Sequence, residues 1–442
     1  MIRTPSIHVA ALAALILAGP AVTRVSAPRA ETVALTGGTV HPVSGPTIDR
    51  ATIVVTDGRI TAVGADVSPP AGATVISCEG KHVYPGLISA NTILGLTEVG
   101  SVLGTNDQNE IGNVNPNIRA EVQINPESDL LPVTRVNGVT SALSVPRGGA
   151  ISGTSALIHL DGWTEEDMTV AKPVGLHVNW PNMTVNRAWW ETRSEEEQKR
   201  TRDEAILAIR TAFEDARAYW RARDAEGKTG VPRHDRDVKW DAMGRALRGE
   251  IPVMFHATAL NQIRAVLRFV DEQHLKKVVL VGGDDAWMVT DELKARDIAV
   301  ITGEPLSLPN RSYEPYDQGM SLAARLHAAG VRFCISDGCG STNARNLGYE
   351  AAMAAAFGLP KEEALKSVTL YPAQILGVGD QLGSIEPGKI ADLIVTTGDP
   401  LEITTQVEQV FIGGRAVSME TRQTRLFKKY DHRPRGSKAR QI

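Results

Sequence analysis

The stretch that decides the fold is Tyr84-Pro85-Gly86-Leu87-Ile88-Ser89-Ala90-Asn91-Thr92-Ile93-Leu94-Gly95-Leu96. Its Pro85-Gly86 turn leads into a short apolar run that ends on polar residues. Such a run is typical of a buried parallel strand whose carboxyl end opens at a surface. Upstream, the pattern indicates short strands with glycine turns; downstream, strand-like and helix-like patterns alternate. The stretch therefore marks the junction between a small β region and a larger α/β region.

Residues 1–30 predict a secretory signal peptide. Arg3 gives a positive start, residues 7–18 form an apolar run of about a dozen residues, and Val25-Ser26-Ala27 offers a cleavage point. A membrane helix needs roughly 20 apolar residues, and Gly19-Pro20 interrupts this run. We therefore expect cleavage and a periplasmic or secreted protein without a transmembrane segment. An uncleaved anchor is the alternative.

Composition excludes several classes of function. The chain has 442 residues, of which 42% are hydrophobic and 22% charged, as expected for a globular protein with one large and one small domain. Residues 1–30 contain three of the 47 basic and none of the 51 acidic residues, so the mature chain is acidic and a nucleic-acid partner is not expected. Cys78, Cys334 and Cys339 are too few for a disulfide framework; one disulfide stays open, and buried thiols are favoured.

Two segments resemble the amidohydrolase superfamily, in particular its imidazolonepropionase-like branch. Residues 84–96 resemble its pattern Pro-Gly-Leu-Ile-Asp-x-His-x-His, and residues 383–393 (GSIEPGKIADL) resemble its Gly-x-Ile-x-Pro-Gly-Lys-x-Ala-Asp-Leu pattern. In the family the two histidines coordinate a divalent metal. Here those positions are Asn91, a weak oxygen ligand, and Ile93, which is no ligand.

The resemblance implies an α/β fold: a (β/α)8 TIM-like barrel over residues 86–382, with a small β-sandwich domain built from both chain ends, 31–85 and 383–420. Two unrelated hairpins are the alternative for the chain ends. Residues 421–442 form a basic tail, which we expect to be solvated, with binding to an anionic lipid surface as an alternative. The predicted barrel strands are residues 87–91, 139–145, 156–160, 174–180, 252–256, 278–281, 298–301 and 332–336.

Two features between the strands are distinctive. Residues 97–132 form a long segment rich in Asn, Asp and Pro, which is typical of a functional cover. Ser194 and Glu197 predict a capping box that starts an amphipathic helix. We expect this helix to dock on the core, with partner binding as the alternative.

The resemblance also implies site residues at the carboxyl ends of the strands. His256 matches the strand-five histidine, and Asp337 matches the last ligand, which serves as general base toward the attacking water. The strand-six histidine is missing, because Gly282 and Gly283 stand there. His177 occupies the place of the family's strand-four lysine. His177, His256 and Asp337 would then form a metal site for Zn, Fe or Mn, although a hydrogen-bonded core histidine and a metal-free site remain open.

Three further residues are candidate substrate contacts. Asn91 can orient a substrate, and Asn343 follows the last strand. Arg147, on an Arg-Gly-Gly loop that we expect to be flexible, can pair with a substrate carboxylate; a surface salt bridge is the alternative.

Two functions follow from these residues. The first is hydrolysis of C–N bonds in small cyclic amides or dipeptide-like molecules, implied by the resemblance. The second is a catalytically inactive binding or scaffold protein of the cell envelope, favoured by the lost ligands. The partner is a small molecule in both cases. Homo-oligomerisation, common in the superfamily, is not tested by the sequence.

Overall fold

The computed structural model describes residues 32–431, except 229, 231, 232, 234 and 339. The predicted signal peptide and the end of the basic tail, residues 432–442, lie outside the described residues.

The described chain alternates between strands and helices after an all-β start. The strands are β1 (Thr32–Val40), β2 (Ile48–Thr56), β3 (Arg59–Gly64), β4 (Thr74–Ser77), β5 (His82–Pro85), β6 (Leu87–Thr92), β7 (Val139–Ser144), β8 (Ile151–Thr154), β9 (Ala156–His159), β10 (Thr169–Ala171), β11 (Leu176–Asn179), β12 (Val253–Ala257), β13 (Val278–Gly282), β14 (Ala299–Thr302), β15 (Phe333–Cys334), β16 (Leu393–Thr396), β17 (Val407–Ile412) and β18 (Arg415–Ala416). The α-helices are α1 (Leu130–Arg135), α2 (Glu165–Met168), α3 (Glu195–Ala225), α4 (Val238–Arg248), α5 (Leu260–Glu272), α6 (Thr290–Ala295), α7 (Gln318–Ala328), α8 (Leu347–Ala356), α9 (Lys361–Lys366), α10 (Leu370–Ile375) and α11 (Arg422–Asp431).

Both ends of the described chain contribute to one eight-stranded sheet, in the order β18-β17-β16-β5-β1-β2-β3 with β4 beside β1. The two ends meet where β16 pairs antiparallel with β5. The short strands with glycine turns that the upstream pattern predicts include one hairpin: β2 and β3 are antiparallel, and the turn residues Asp57 and Gly58 have φ of +50° and +77°. Positive φ at both central positions gives a turn whose twist matches that of the strands.

The other strands form a four-stranded sheet, β10-β9-β7-β6, and a six-stranded sheet, β15-β14-β13-β12-β11-β8. The eight predicted strand positions are confirmed, whereas β8 and β10 were not predicted. The expectation that the barrel strands are all parallel is wrong for the third predicted strand, residues 156–160, because β9 pairs antiparallel with β7. The strand β8 also pairs antiparallel, with β11. A parallel crossover usually contains a helix, whereas the connection from β7 to β9 contains only the short strand β8.

The strands β6 and β15, each at the edge of its sheet, are separated by the backbone of residues 367–368. The Ile335 amide donates to the Ser367 carbonyl at 3.0 Å, and the Ile88 amide donates to the Val368 carbonyl at 2.8 Å. Over the described residues, β15 and β6 therefore share no ladder of backbone hydrogen bonds.

The long helix α3 is capped as predicted, since the Ser194 hydroxyl accepts from the Glu197 amide at 3.1 Å. Its Ile209, Phe213 and Ala216 side chains are buried, which confirms docking on the core. The described part of the tail is solvated as expected, and its residues form the exposed helix α11. Among the helices that the structure describes, none combines the length and apolar character needed to cross a bilayer.

Candidate functional site

Two histidines on adjacent parallel strands meet, one near the start of its strand and the other near the carboxyl end of its strand. His177 lies on β11 and His256 on β12, and the backbone register pairs His256 with Asn179. Their side chains nevertheless converge, with Nδ1 of His177 2.9 Å from Nε2 of His256. One of these two nitrogens must carry the proton, so each ring presents its remaining nitrogen to other partners.

Both imidazoles are held in the neutral form. Burial lowers the pKa of His177 well below its ordinary value, and the neighbouring His256 and Arg147 lower it further. Burial and the charge of Arg147 lower the pKa of His256 to about 3. The Nε2 atom of His177 is buried and has no hydrogen-bond partner among the described residues. A buried polar atom without a partner is costly, so this nitrogen is suited to contact a ligand.

Arg147 joins the histidines to Asn91. Its Nη2 atom lies 3.4 Å from Oδ1 of Asn91 on β6, and its charge acts on both imidazoles. The loop that carries Arg147, which we expected to be flexible, is bound to the segment of residues 97–132, which we call the cover. The Arg147 amide donates to the Gln108 carbonyl at 2.6 Å. We call Asn91, Arg147, His177 and His256 the arginine–histidine cluster.

The glycines after Arg147 fix the path of this loop. Gly148 and Gly149 have φ of +81° and +64°, a region that side chains disfavour. A Cβ atom on Gly149 would also lie 2.7 Å from the Asn113 carbonyl oxygen. The loop therefore packs directly on the backbone of residues 97–132, which orients Arg147.

Asp337 is buried and bonds to Ser89. The Ser89 hydroxyl donates to its Oδ1 atom at 2.6 Å, while Oδ2 has no partner in the described part of the chain. Burial raises the pKa of Asp337 to about 6; the Ser89 bond opposes this rise and Glu304 adds to it. Nearby Glu350, on α8, has its pKa raised to about 7 chiefly by burial.

Among the described residues, two members of the predicted metal set, His177 and His256, are in contact, while the third, Asp337, is bonded to Ser89. No three His, Cys, Asp or Glu side chains of the described residues form a group that could hold a metal ion. The reason lies on β6: Ser89, which stands where the family pattern has Asp, binds Asp337 instead.

The remaining donors do not fit the divalent metal that the family implies. The two imidazoles bond to each other, and positions 91 and 93 offer one neutral amide and one hydrocarbon side chain. The charge of Arg147, which already acts on both imidazoles, opposes a second cation beside them.

The predicted substrate contacts divide into two groups. Asn91 and Arg147 lie in the cluster, whereas Asn343 is exposed and precedes a short 3-10 helix, Ala344–Asn346. Sequence reasoning missed Ser89 and Glu350. The departure of Ser89 from the family's Asp was a usable signal, and so was the single acid in the alanine-rich sequence of α8.

Comparisons with known proteins place these observations in a family. The sequence model of the family described as "Amidohydrolase family" matches residues 172–417. An amidohydrolase named tasK from Hapsidospora irregularis is 27% identical over 403 residues, which is 84% of this chain and 39% of that protein. An imidazolonepropionase from Brucella anthropi is 24% identical, over 79% of this chain and 87% of its own.

A solved structure extends the likeness to the fold. The amidohydrolase from Thermotoga maritima superposes with a TM-score of 0.78 and 27% identity, covering 87% of this chain and 99% of that one. The likeness implies an α/β catalytic domain of the TIM-barrel type. The chain spans only about two fifths of the length of tasK.

Proposed function

Because the chain belongs to the amidohydrolase family, we propose that it hydrolyses C–N bonds of small molecules, with cyclic amides or dipeptide-like molecules as substrates. The observation that carries the proposal is the contact between His177 on β11 and His256 near the carboxyl end of the adjacent parallel strand β12. Family members act at that edge of the barrel.

The chemistry we propose uses residues of this chain alone. Water adds to the amide carbonyl while Asp337 takes one proton from the water. When the resulting tetrahedral intermediate collapses and its C–N bond breaks, Asp337 gives this proton to the leaving nitrogen, so that a carboxylic acid and an amine are released. A carboxyl whose pKa is about 6 is a far better base near neutral pH than an imidazole whose pKa is about 3. A neutral imidazole N–H from the histidine pair donates to the carbonyl oxygen as its negative charge grows.

The geometry of β6 supports this division of roles. Ser89 and Asn91 are two residues apart on β6, in the part of the strand where its register against β7 shifts. Asp337 is bound to the first and Arg147 to the second. The proposed base and the cluster are therefore both attached to β6, at positions two residues apart.

The test is turnover by the purified protein against hydantoins, lactams, N-acyl amino acids and dipeptides. Asp337→Asn and His256→Gln should each lower kcat/KM by about 100-fold or more. The exposed His274, changed to Asn, is the matched control and should leave kcat/KM unchanged. Absence of turnover across the panel, or full activity in both variants, contradicts the proposal.

The second candidate function is binding without catalysis. It is supported by Asn91 and Ile93 at the lost ligand positions and by the histidines bonding to each other. A substrate-like amide that binds the purified protein but is recovered intact would favour this candidate.

The proposal also covers the closure of the barrel, the β-sandwich domain and the export of the protein. We propose a barrel that closes across residues 367–368 and a β-sandwich formed by residues 31–85 and 383–420. We also propose that residues 1–30 direct export, followed by cleavage. Mass spectrometry of the mature protein from a bacterial host, with fractionation of periplasm and medium, tests the export; an intact Met1 in the cytoplasm contradicts it.

A further inference from the structure

We propose that the Arg147 guanidinium supplies the positive charge that a metal supplies in the family, so that the arginine–histidine cluster binds an oxygen anion of its ligand without metal. The anion is a carboxylate or the negative oxygen formed when water adds to an amide. This inference rests on the proposed function, because it concerns the same site.

The first argument is the charge balance around Arg147. Its guanidinium is half-buried, its Nε atom is fully enclosed without a partner in the described chain, and its Nη2 atom has one distant contact, with the neutral amide of Asn91. No carboxylate among residues 32–431, the gaps aside, forms an ion pair with it. A charge taken out of water costs several kcal/mol unless it is paired. An anionic ligand would provide the missing partner.

The second argument is the character of the neighbouring groups. The neutral histidine pair uses one of its two N–H groups in the contact between the rings, so it offers one further donor and no negative charge. When His256 donates to His177, this donor is Nε2 of His177, which is buried and unpartnered in the described structure. The buried carboxylate of Asp337 is bound to Ser89. The cluster therefore combines an N–H donor with the positive charge of Arg147, while Asp337 is bonded elsewhere. Such an arrangement is suited to binding an anion.

The third argument is the rigidity of the support. The Arg147 amide is bonded to Gln108, and Gly148 and Gly149 adopt backbone conformations that fit closely against the cover. A guanidinium held by its backbone loses less entropy when it binds a ligand than a free surface arginine would. The loop therefore presents Arg147 to the cluster instead of to solvent.

The experiment is calorimetric titration of the purified full chain with N-acetylglycine and with inorganic phosphate, alongside elemental analysis for metals. We expect binding of both anions, substoichiometric metal, and no change when a chelator is added. Arg147→Met, which keeps the length but not the charge, should weaken binding by about tenfold or more. Arg147→Lys should retain part of the affinity.

The matched control is Arg119→Met, an exposed arginine of the same cover that pairs with Glu121. It should bind both anions as the wild type does, and melting temperatures verify folding of all variants. Failure of the wild type to bind either anion, wild-type affinity in Arg147→Met, or anion binding that disappears when a tightly held metal is removed would each overturn the inference.

The two proposals fail separately. If Arg147→Met loses anion binding while the wild type turns over no amide in the panel, the inference stands and the proposed hydrolysis does not. If the wild type turns over an amide and Arg147→Met keeps both its anion affinity and its kcat/KM, the hydrolysis stands and the inference does not.

Discussion

Replacing Asp392 by Asn should destabilise the protein strongly and in a pH-dependent manner. Asp392 lies at the junction between the barrel strands and the shared sheet, with Oδ2 3.1 Å from Nε2 of His159 at the end of β9. The Ser141 hydroxyl donates to the same oxygen at 3.1 Å, and the Gly413 amide donates to Oδ1 at 2.9 Å. An asparagine keeps the shape of the side chain, but it replaces one accepting oxygen by a donor and removes the charge.

The magnitude follows from burial. Only 5% of the Asp392 side chain is exposed, so the loss of its charge leaves His159 without a counter-ion. Removing one member of a buried ion pair typically costs about 3–5 kcal/mol. With an unfolding entropy of about 2 cal/mol/K per residue, this corresponds to a decrease in melting temperature of about 4–6 °C for some 400 residues.

The pH dependence has a defined sign. Burial alone would raise the pKa of Asp392, but the charge of His159 and three hydrogen bonds hold it below its ordinary 3.8, so its stabilisation is present above that value and lost as the pH falls. Burial alone would lower the pKa of His159, but Asp392 raises it above 6.5. The stabilisation by His159 is therefore complete below pH 6.5 and lost as the pH rises through the higher folded value. The penalty of Asp392→Asn should be greatest near pH 5.5.

The assay is thermal unfolding by circular dichroism at pH 5.5 and pH 9. The control is Asp291→Asn, whose carboxylate is 94% exposed and forms a surface pair with Lys294. This control should melt within about 1 °C of the wild type, since exposed pairs contribute little. A loss below about 1 °C for Asp392→Asn, or an equal loss at both pH values, would refute the reasoning.

Three further changes test other parts of the structure. Gly86→Ala should destabilise by about 1–3 kcal/mol in chemical unfolding, because the added Cβ overlaps the Thr140 side chain; Gly45→Ala, whose surroundings are open, is the control and should show no overlap penalty. Glu350→Gln should melt higher than the wild type at pH 8.5 and together with it at pH 4.5. Burial raises the pKa of this carboxyl to about 7, so its ionisation destabilises the fold above that pH; equal melting at both pH values would contradict this. Ser194→Ala should cost about 1 kcal/mol in chemical unfolding through loss of the helix cap, and Ser194→Thr should restore most of it; no difference between the two would argue against the cap.

Sequence reasoning located the strands better than it assigned their directions. Apolar runs between turn residues mark β6, β7 and β11 to β15, because burial on both faces requires them. The direction of β9 depends on the connection that precedes it. The missed strand β8 forms the last part of that connection, with Gly153 at φ +120° beside the cover.

The site shows the same limit at the level of side chains. The convergence of His177 and His256 follows from two strand ends that the pattern identified. The attachment of Asp337 to Ser89 depends on side-chain geometry across the first and last strands, which spacing along the chain does not encode. The charge of Arg147 beside the histidines depends on the cover, whose irregular path no periodic pattern predicts.

The pairing of β5 with β16 has a consequence for biosynthesis. Thr396 reaches His82 across 314 residues of sequence. A contact of such long range forms late in folding, after the intervening chain has been made. A nascent polypeptide that has not yet reached Leu393 exposes one unsatisfied edge of β5, which is a template for association with other chains. Translation that stops early should therefore yield aggregates instead of a smaller folded product.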